Sequence, residues 1–139
     1  MPQRKRVKIL AYIAVQDVGF ALNPMLVHGQ MHGGIAQGIG LALQEAIVYD
    51  GEGQLLTGSF LDYGLPLAED LPHLETILVE NPSPLGPYGV RGVGEPPIIA
   101  GAAAIANAIR NATGARLTTM PMNSEALWVA LQAGRDNAV

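Results

Sequence analysis

Apolar residues recur with two different periods along this chain. Val7, Ile9, Ala11, Ile13 and Val15 fall on every second position, the pattern of a strand over residues 7–17. Ile35, Ile39 and Leu43 fall on every fourth, with Ala36 and Ala42 beside them. That spacing predicts a helix from about 25 to 46, opened by the turn signal Asn23-Pro24. Ala46–Tyr49 and Gln54–Thr57 can form two short arms around the hairpin signal Asp50-Gly51-Glu52-Gly53. Residues 58–74 read as irregular, Glu75–Glu80 as a strand, and the proline-rich NPSPLGPYG at 81–89 as loop. Pro96-Pro97 suits the start of a helix that runs to about Thr113, with Gly114 as its closing glycine. Leu117–Met120 reads as a last strand, and Asn123 as the cap of a final helix carrying Glu125 in its first turn. With no internal repeat, the expectation is one α+β unit over residues 1–139, with mixed strands and about three helices.

Composition adds a constraint on the surface. Hydrophobic residues make up 49% and charged residues only 14%, against a usual quarter. A domain of this size has a large surface for its volume, so part of that surface is expected to be covered by a partner or by more chain. The isolated chain is accordingly expected to self-associate. A net charge of −4 argues against a nucleic-acid platform. The absence of cysteine excludes disulfides, thiolate metal sites and a cysteine nucleophile. No apolar run approaches the roughly 18–20 residues that a membrane span needs. The basic MPQRKRVK followed by ILAYIAV imitates a signal peptide. Gln16 and Asp17 end that run early and no small-residue cleavage site follows, which favours the strand. Arg4-Lys5-Arg6 then reads as a solvated start, and a cytoplasmic location is the default.

Three features invite a chemical reading. His28 and His32 have the spacing of metal ligands on one helix face, but HGQMH has glycine where the HExxH zinc motif has glutamate. No third ligand is evident, since His73 lies in a proline-bearing segment, so polar residues facing solvent or a partner are the plainer reading. The blocks GGIAQGIG and GVRGVGE are rich in glycine, yet neither gives GxGxxG after a strand nor a phosphate loop ending in GKS or GKT. Backbone N–H groups in such loops can cradle phosphates, and tight helix packing explains the same glycines. Glu95 is the most informative residue. It stands immediately before a helix start, where the macrodipole favours the carboxylate while apolar surroundings disfavour it. On these residues alone, a general base and a simple helix cap both fit.

The blocks NPMLVHGQMHGGIAQGIGLALQEAIVYDGEGQ, SFLDYGLP, GVRGVGEPP, AIANAIRNATG and LTTMPMNSEALWVAL occur in an order that resembles one family. It is the C-terminal part of the molybdenum-binding subunit of the xanthine dehydrogenase, aldehyde oxidase and aerobic carbon monoxide dehydrogenase family. The resemblance covers nearly the whole chain, from about Val7 to Leu131, and its GQ…HGG…QG and GVGEPP blocks are specific. It implies a molybdenum hydroxylase whose metal is carried by molybdopterin, often as the cytosine dinucleotide in bacteria. Glu95 matches the catalytic glutamate, the base that takes a proton from the hydroxyl group delivered to an electron-poor carbon. The electrons then leave through two 2Fe-2S clusters, usually to FAD, on partner subunits. Gln37 and Gln30 match positions near the cofactor, Gly33, Gly34 and Gly38 are the close-approach positions, and Arg91, Gly92, Val93 and Gly94 form the loop beside it.

The departure from the family is length. The parts that would complete the cofactor site and the substrate pocket are missing, so the chain reads as a separately encoded piece or a fragment, and as inactive alone. Its partners would be the remaining molybdenum subunit, the FAD and iron–sulfur subunits, and a small-molecule substrate. Purines, aldehydes, nicotinate-like rings and carbon monoxide all belong to the family, and these residues do not choose among them. The alternative is a truncated, non-catalytic relative that acts as an assembly or binding module.

Overall fold

The structure is a computed structural model and describes residues 7–136. The basic cluster Arg4-Lys5-Arg6 lies outside the described residues. Two strands, β1 (Ala11–Asp17) and β2 (His73–Val79), pair in parallel, with Ala11 opposite His73 and Asp17 opposite Val79. Parallel strands need a crossover, and the long helix α1 (Pro24–Leu43) provides it. The Asn23 side chain caps α1 by accepting from Leu26 N–H at 3.1 Å, and Pro24 occupies the first helical position, where its missing N–H costs nothing.

The four-residue period of α1 is used as expected. Ile35, Ile39 and Ala42 form the main core with Ile105 and Ile109 of α3 (Gly101–Thr113), Leu127 of α4 (Ser124–Asp136) and Met122. A second cluster of Val18, Ala21, Val27 and Met31 sits at the other end of α1, and Val93 packs against it. Burying each large aliphatic side chain in these clusters contributes on the order of 2 kcal/mol. Gly114 closes α3 with a left-handed backbone, φ 77°, and Asn123 accepts from Glu125 and Ala126 N–H at the start of α4.

The α+β reading holds, and four details differ. The helix expected over 96–113 is broken. A single turn, α2 (Pro96–Ile99), precedes Ala100, and α3 then starts afresh. At the break Gly101 lies against α1, where a Cβ on it would sit 3.2 Å from Gly38 Cα. The strand expected at Leu117–Met120 does not form. That segment is irregular, with Leu117 packed on the main core and Met122 N–H donating to the Ala42 carbonyl at 2.7 Å. Among the described residues no neighbouring strand offers it a ladder. The arms around Asp50 make one isolated bridge, Tyr49 to Leu55, rather than strands. In β1 the half-buried residues are Tyr12, Ala14 and Gln16, whereas Ile13 and Val15 point outward and are 61% and 63% exposed. Among the described residues nothing covers that outer face. Among the described residues no helix is long and apolar enough to cross a membrane.

Candidate functional site

Because β1 and β2 are parallel, both end on one side, at Asp17 and Val79. Crevices outside the carboxyl ends of parallel strands are favoured ligand sites. Here that side gathers the 18–23 loop, the first turns of α1 and the 80–95 loop. The loops are tied together by backbone. Gly19 (φ 69°) forms an antiparallel bridge with Val90, Phe20 N–H donates to the Gly89 carbonyl at 3.0 Å, and Arg91 N–H donates to the Val18 carbonyl at 3.1 Å. A Cβ on Gly19 would collide with the Gly89 carbonyl, so only glycine fits there. Glu80 accepts from Ala21 N–H at 2.8 Å, which ties the end of β2 to the start of α1. Tyr88 adopts φ 57°, a left-handed conformation that non-glycine residues take rarely, next to Gly89 at φ 76°.

Arg91 does not lie beside Glu95 as a free cation. Its Nε is 3.3 Å from Asp17 Oδ1, and its Nη2 donates to the Asn81 carbonyl at 3.3 Å, so its charge anchors the loop to the end of β1. The Gly19 N–H, at 2.9 Å, holds the Asp17 carboxyl below its ordinary value against the opposing effect of desolvation, and the Arg91 guanidinium adds a smaller lowering. Sequence reasoning missed Asp17 and Glu80 as anchors. The only signal was the position of each acid at the end of a β-branched run.

Past Arg91 the loop opens. A Cβ on Gly92 would meet nothing within 4 Å. Val93 turns inward onto the Val18–Met31 cluster and pins the loop to α1. Gly94 passes the Gln30 amide, whose Nε2 would be 3.8 Å from an added Cβ. Glu95 then starts α2, its carbonyl accepting from Ile98 N–H at 3.1 Å. Its side chain makes no capping bond. The carboxylate is exposed and, among the described residues, has no hydrogen bond or ion pair. The helix-cap reading therefore does not describe what this side chain does.

The α1 positions divide into two sets. Gly34 and Gly38 are buried under the helices that follow the loop, Gly34 against Pro97 and Gly38 against Gly101. Gln30, Gly33 and Gln37 stay exposed on the same helix, and a Cβ on Gly33 would meet nothing within 4 Å. The structure thus brings Gln30 to Gly94 and α2 onto α1, leaves Gly33 and Gly92 open, and sends Arg91 elsewhere. His28 and His32 both face Thr76 of β2, at 2.6 and 3.4 Å from its hydroxyl. Among the described residues no group of three His, Cys, Asp or Glu is placed to hold a metal ion.

These residues suit a bulky heterocyclic group more than a bare ion. Gly33 and Gly92 leave space that any side chain would fill. The amides of Gln30 and Gln37 offer both donors and acceptors, as the edge of a pterin ring requires. A family model of the molybdopterin cofactor-binding domain matches residues 2–72. The xanthine dehydrogenase molybdenum-binding subunit of Escherichia coli O157:H7 is 44% identical over 124 residues, covering 88% of this chain and 16% of that protein. The carbon monoxide dehydrogenase large chain of Afipia carboxidovorans is 37% identical over 124 residues, covering 87% of this chain and 15% of that one. In structure, quinoline 2-oxidoreductase from Pseudomonas putida 86 matches with a TM-score of 0.85 at 38% identity, over 90% of this chain and 16% of its own. The chain therefore spans about a sixth of the length of these relatives. On sequence and structure alike, it belongs to the molybdopterin cofactor-binding domain family.

Proposed function

We propose that this chain is the part of a molybdenum hydroxylase that supplies the general base, Glu95, and one wall of the cofactor site. The observation that carries the proposal is the Glu95 carboxylate. It is exposed, lacks a partner among the described residues, and stands on a backbone fixed by α2 and by the Val93 anchor. A base needs a free acceptor atom held in a fixed direction. When bound, the molybdopterin group supplies oxygen transfer and two-electron chemistry at an electron-poor carbon. Glu95 accepts and holds the proton released in that transfer, Gln30 and Gln37 hold the cofactor by their amides, and Gly33, Gly92 and Gly94 let it approach the backbone. Tight packing at Gly34–Pro97 and Gly38–Gly101 keeps the two walls in register.

The cytosine dinucleotide form of the cofactor, and FAD and 2Fe-2S clusters on partner subunits, belong to the same proposal. The names of the relatives support the hydroxylase class without choosing a substrate: they include xanthine dehydrogenase, carbon monoxide dehydrogenase and nicotine 6-hydroxylase large subunit. The test is elemental and pterin analysis of the complex that the chain forms with the rest of its molybdenum subunit. The expected result is molybdenum and pterin together, with product oxygen labelled from water. A complete complex lacking both would overturn the proposal and leave an assembly module.

A further inference from the structure

His28 and His32 are the only ionisable side chains of α1. Four residues apart, they lie one turn above the other on one face of the helix. A helix presents two imidazoles to one metal ion with this spacing. That face meets β2, and both rings turn to a single atom of it. His28 Nδ1 lies 2.6 Å and His32 Nε2 3.4 Å from the Thr76 hydroxyl oxygen. The hydroxyl is held in place. Thr76 is stiff at χ1, and Leu74 and Leu78, its neighbours on the same face of β2, pack on the two core clusters. Val27 and Met31, buried beside the histidines, hold the facing turn of α1. Three polar atoms from two rigid elements therefore converge. Ligand atoms bound at about 2.0–2.1 Å to one ion lie about 2.9–3.4 Å from one another, for right-angled to tetrahedral geometry. The His32–Thr76 separation already has that size, and the His28–Thr76 separation reaches it by opening about 0.3 Å.

We infer that His28, His32 and Thr76 bind a divalent late transition-metal ion that clamps α1 to β2. Without the ion the hydroxyl accepts from one ring and donates to the other, which keeps the three groups together. The ion replaces those two bonds with three of its own. Imidazole nitrogen selects Zn²⁺, Ni²⁺ and Cu²⁺ over Mg²⁺ and Ca²⁺, which prefer oxygen ligands. Among the described residues no third His, Cys, Asp or Glu joins the pair, so water completes the coordination shell. A neutral, partly hydrated ligand set of this kind suits exchangeable binding rather than a permanent structural ion. His32 is exposed and gives the ion a way in. The clamped turn carries Gln30 and borders Gly33, so the ion stiffens the part of α1 that holds those two open positions. The three ligands are not residues of the proposed cofactor wall, so failure of the metal site would leave the proposed function untouched.

Calorimetric titration of Zn²⁺ into the 139-residue chain tests this, with the histidine ring resonances followed on the same sample. One site with a Kd below about 100 μM is expected, and about a hundredfold excess of Mg²⁺ should not displace the ion. The rings of His28 and His32 should shift together and saturate at one equivalent, while that of His73 stays. Weakening a ligand's hydrogen-bonded support alone costs about 10–100-fold in metal affinity. Removing the ligand itself, in His28→Gln or His32→Gln, should cost about tenfold or more. His73→Gln should bind as wild type does. Thr76→Val keeps the shape without the hydroxyl and should weaken binding by about threefold or more, whereas Thr76→Ser should not. No saturable binding to the wild-type chain by about 1 mM Zn²⁺ would overturn the inference, as would binding that His73→Gln removes and His32→Gln keeps. Wild-type affinity in Thr76→Val would overturn the clamp to β2. The ring shifts are read on the wild-type chain, so they decide the matter even where a variant fails to fold.

Discussion

The two glycine-rich blocks, GGIAQGIG in α1 and GVRGVGE before α2, look alike in composition and differ in use. In α1, Gly34 and Gly38 are consumed by the crossing of Pro97 and Gly101, and the backbones touch where side chains would not fit. In the loop, Gly92 faces open space, Gly94 meets only a glutamine amide, and the next residue is an unpaired carboxylate. Gly33, one residue from Gly34, belongs with the loop rather than with its own helix neighbours. Glycine in a helix costs about 1 kcal/mol relative to alanine. Packing offsets that cost at Gly34, whereas nothing within the described residues offsets it at Gly33. Gly29 of α1 has the same open surroundings, and the proposed function gives a use to Gly33 alone.

Variants on the two sides separate these uses. The largest effect on stability is expected for Gly34→Val. Even a Cβ there would lie 2.6 Å from Pro97 Cβ, so α1 must move away from α2 at a cost of about 3 kcal/mol. Denaturant unfolding measures it, and an unchanged midpoint would mean that the crossing is not what holds the helices together. Gly33→Ala goes the other way. It should stabilise the chain by about 0.5–1 kcal/mol and lower the molybdenum and pterin content of the assembled complex. A stability gain with full cofactor content would place Gly33 outside the site. The smallest effect concerns the loop anchor. The Asp17 carboxyl is held below its ordinary value of 3.8, so its ionised form contributes stability that is present above that pH. This contribution is lost as pH falls through the lowered folded value. Wild type should therefore lose stability relative to Asp17→Asn in that acid range, and parallel pH profiles for the two would remove Asp17 from the anchor.

Much of this division was legible in the sequence, and physics explains what was not. The periods of two and four located β1 and α1, because those patterns reflect one backbone geometry each. Asn23, Gly114 and Asn123 marked their helix ends, because capping is local chemistry. The break at Ala100 was not legible. It arises where Gly101 meets Gly38, sixty-three residues earlier in the chain, and a local pattern carries no record of that approach. Leu117–Met120 has strand composition but no partner strand among the described residues. In β1, alternation gave the right period and could not say which phase faces the core, because both faces carry apolar residues. Glu95 was legible as a candidate from its place between glycines and prolines. Its choice between cap and free acid needed the structure, and Arg91 was drawn away by an acid seventy-four positions before it.

The most direct test of the account is the rate of substrate oxidation by the assembled complex carrying Glu95→Gln, with molybdenum and pterin quantified on the same sample. Removing a general base should slow the reaction by about 10²–10⁴-fold. Because Glu95 is exposed and unpaired, cofactor content and thermal stability should stay at wild-type levels. A wild-type rate at full cofactor content would contradict the central claim that the carboxylate of GVRGVGEPP is the base.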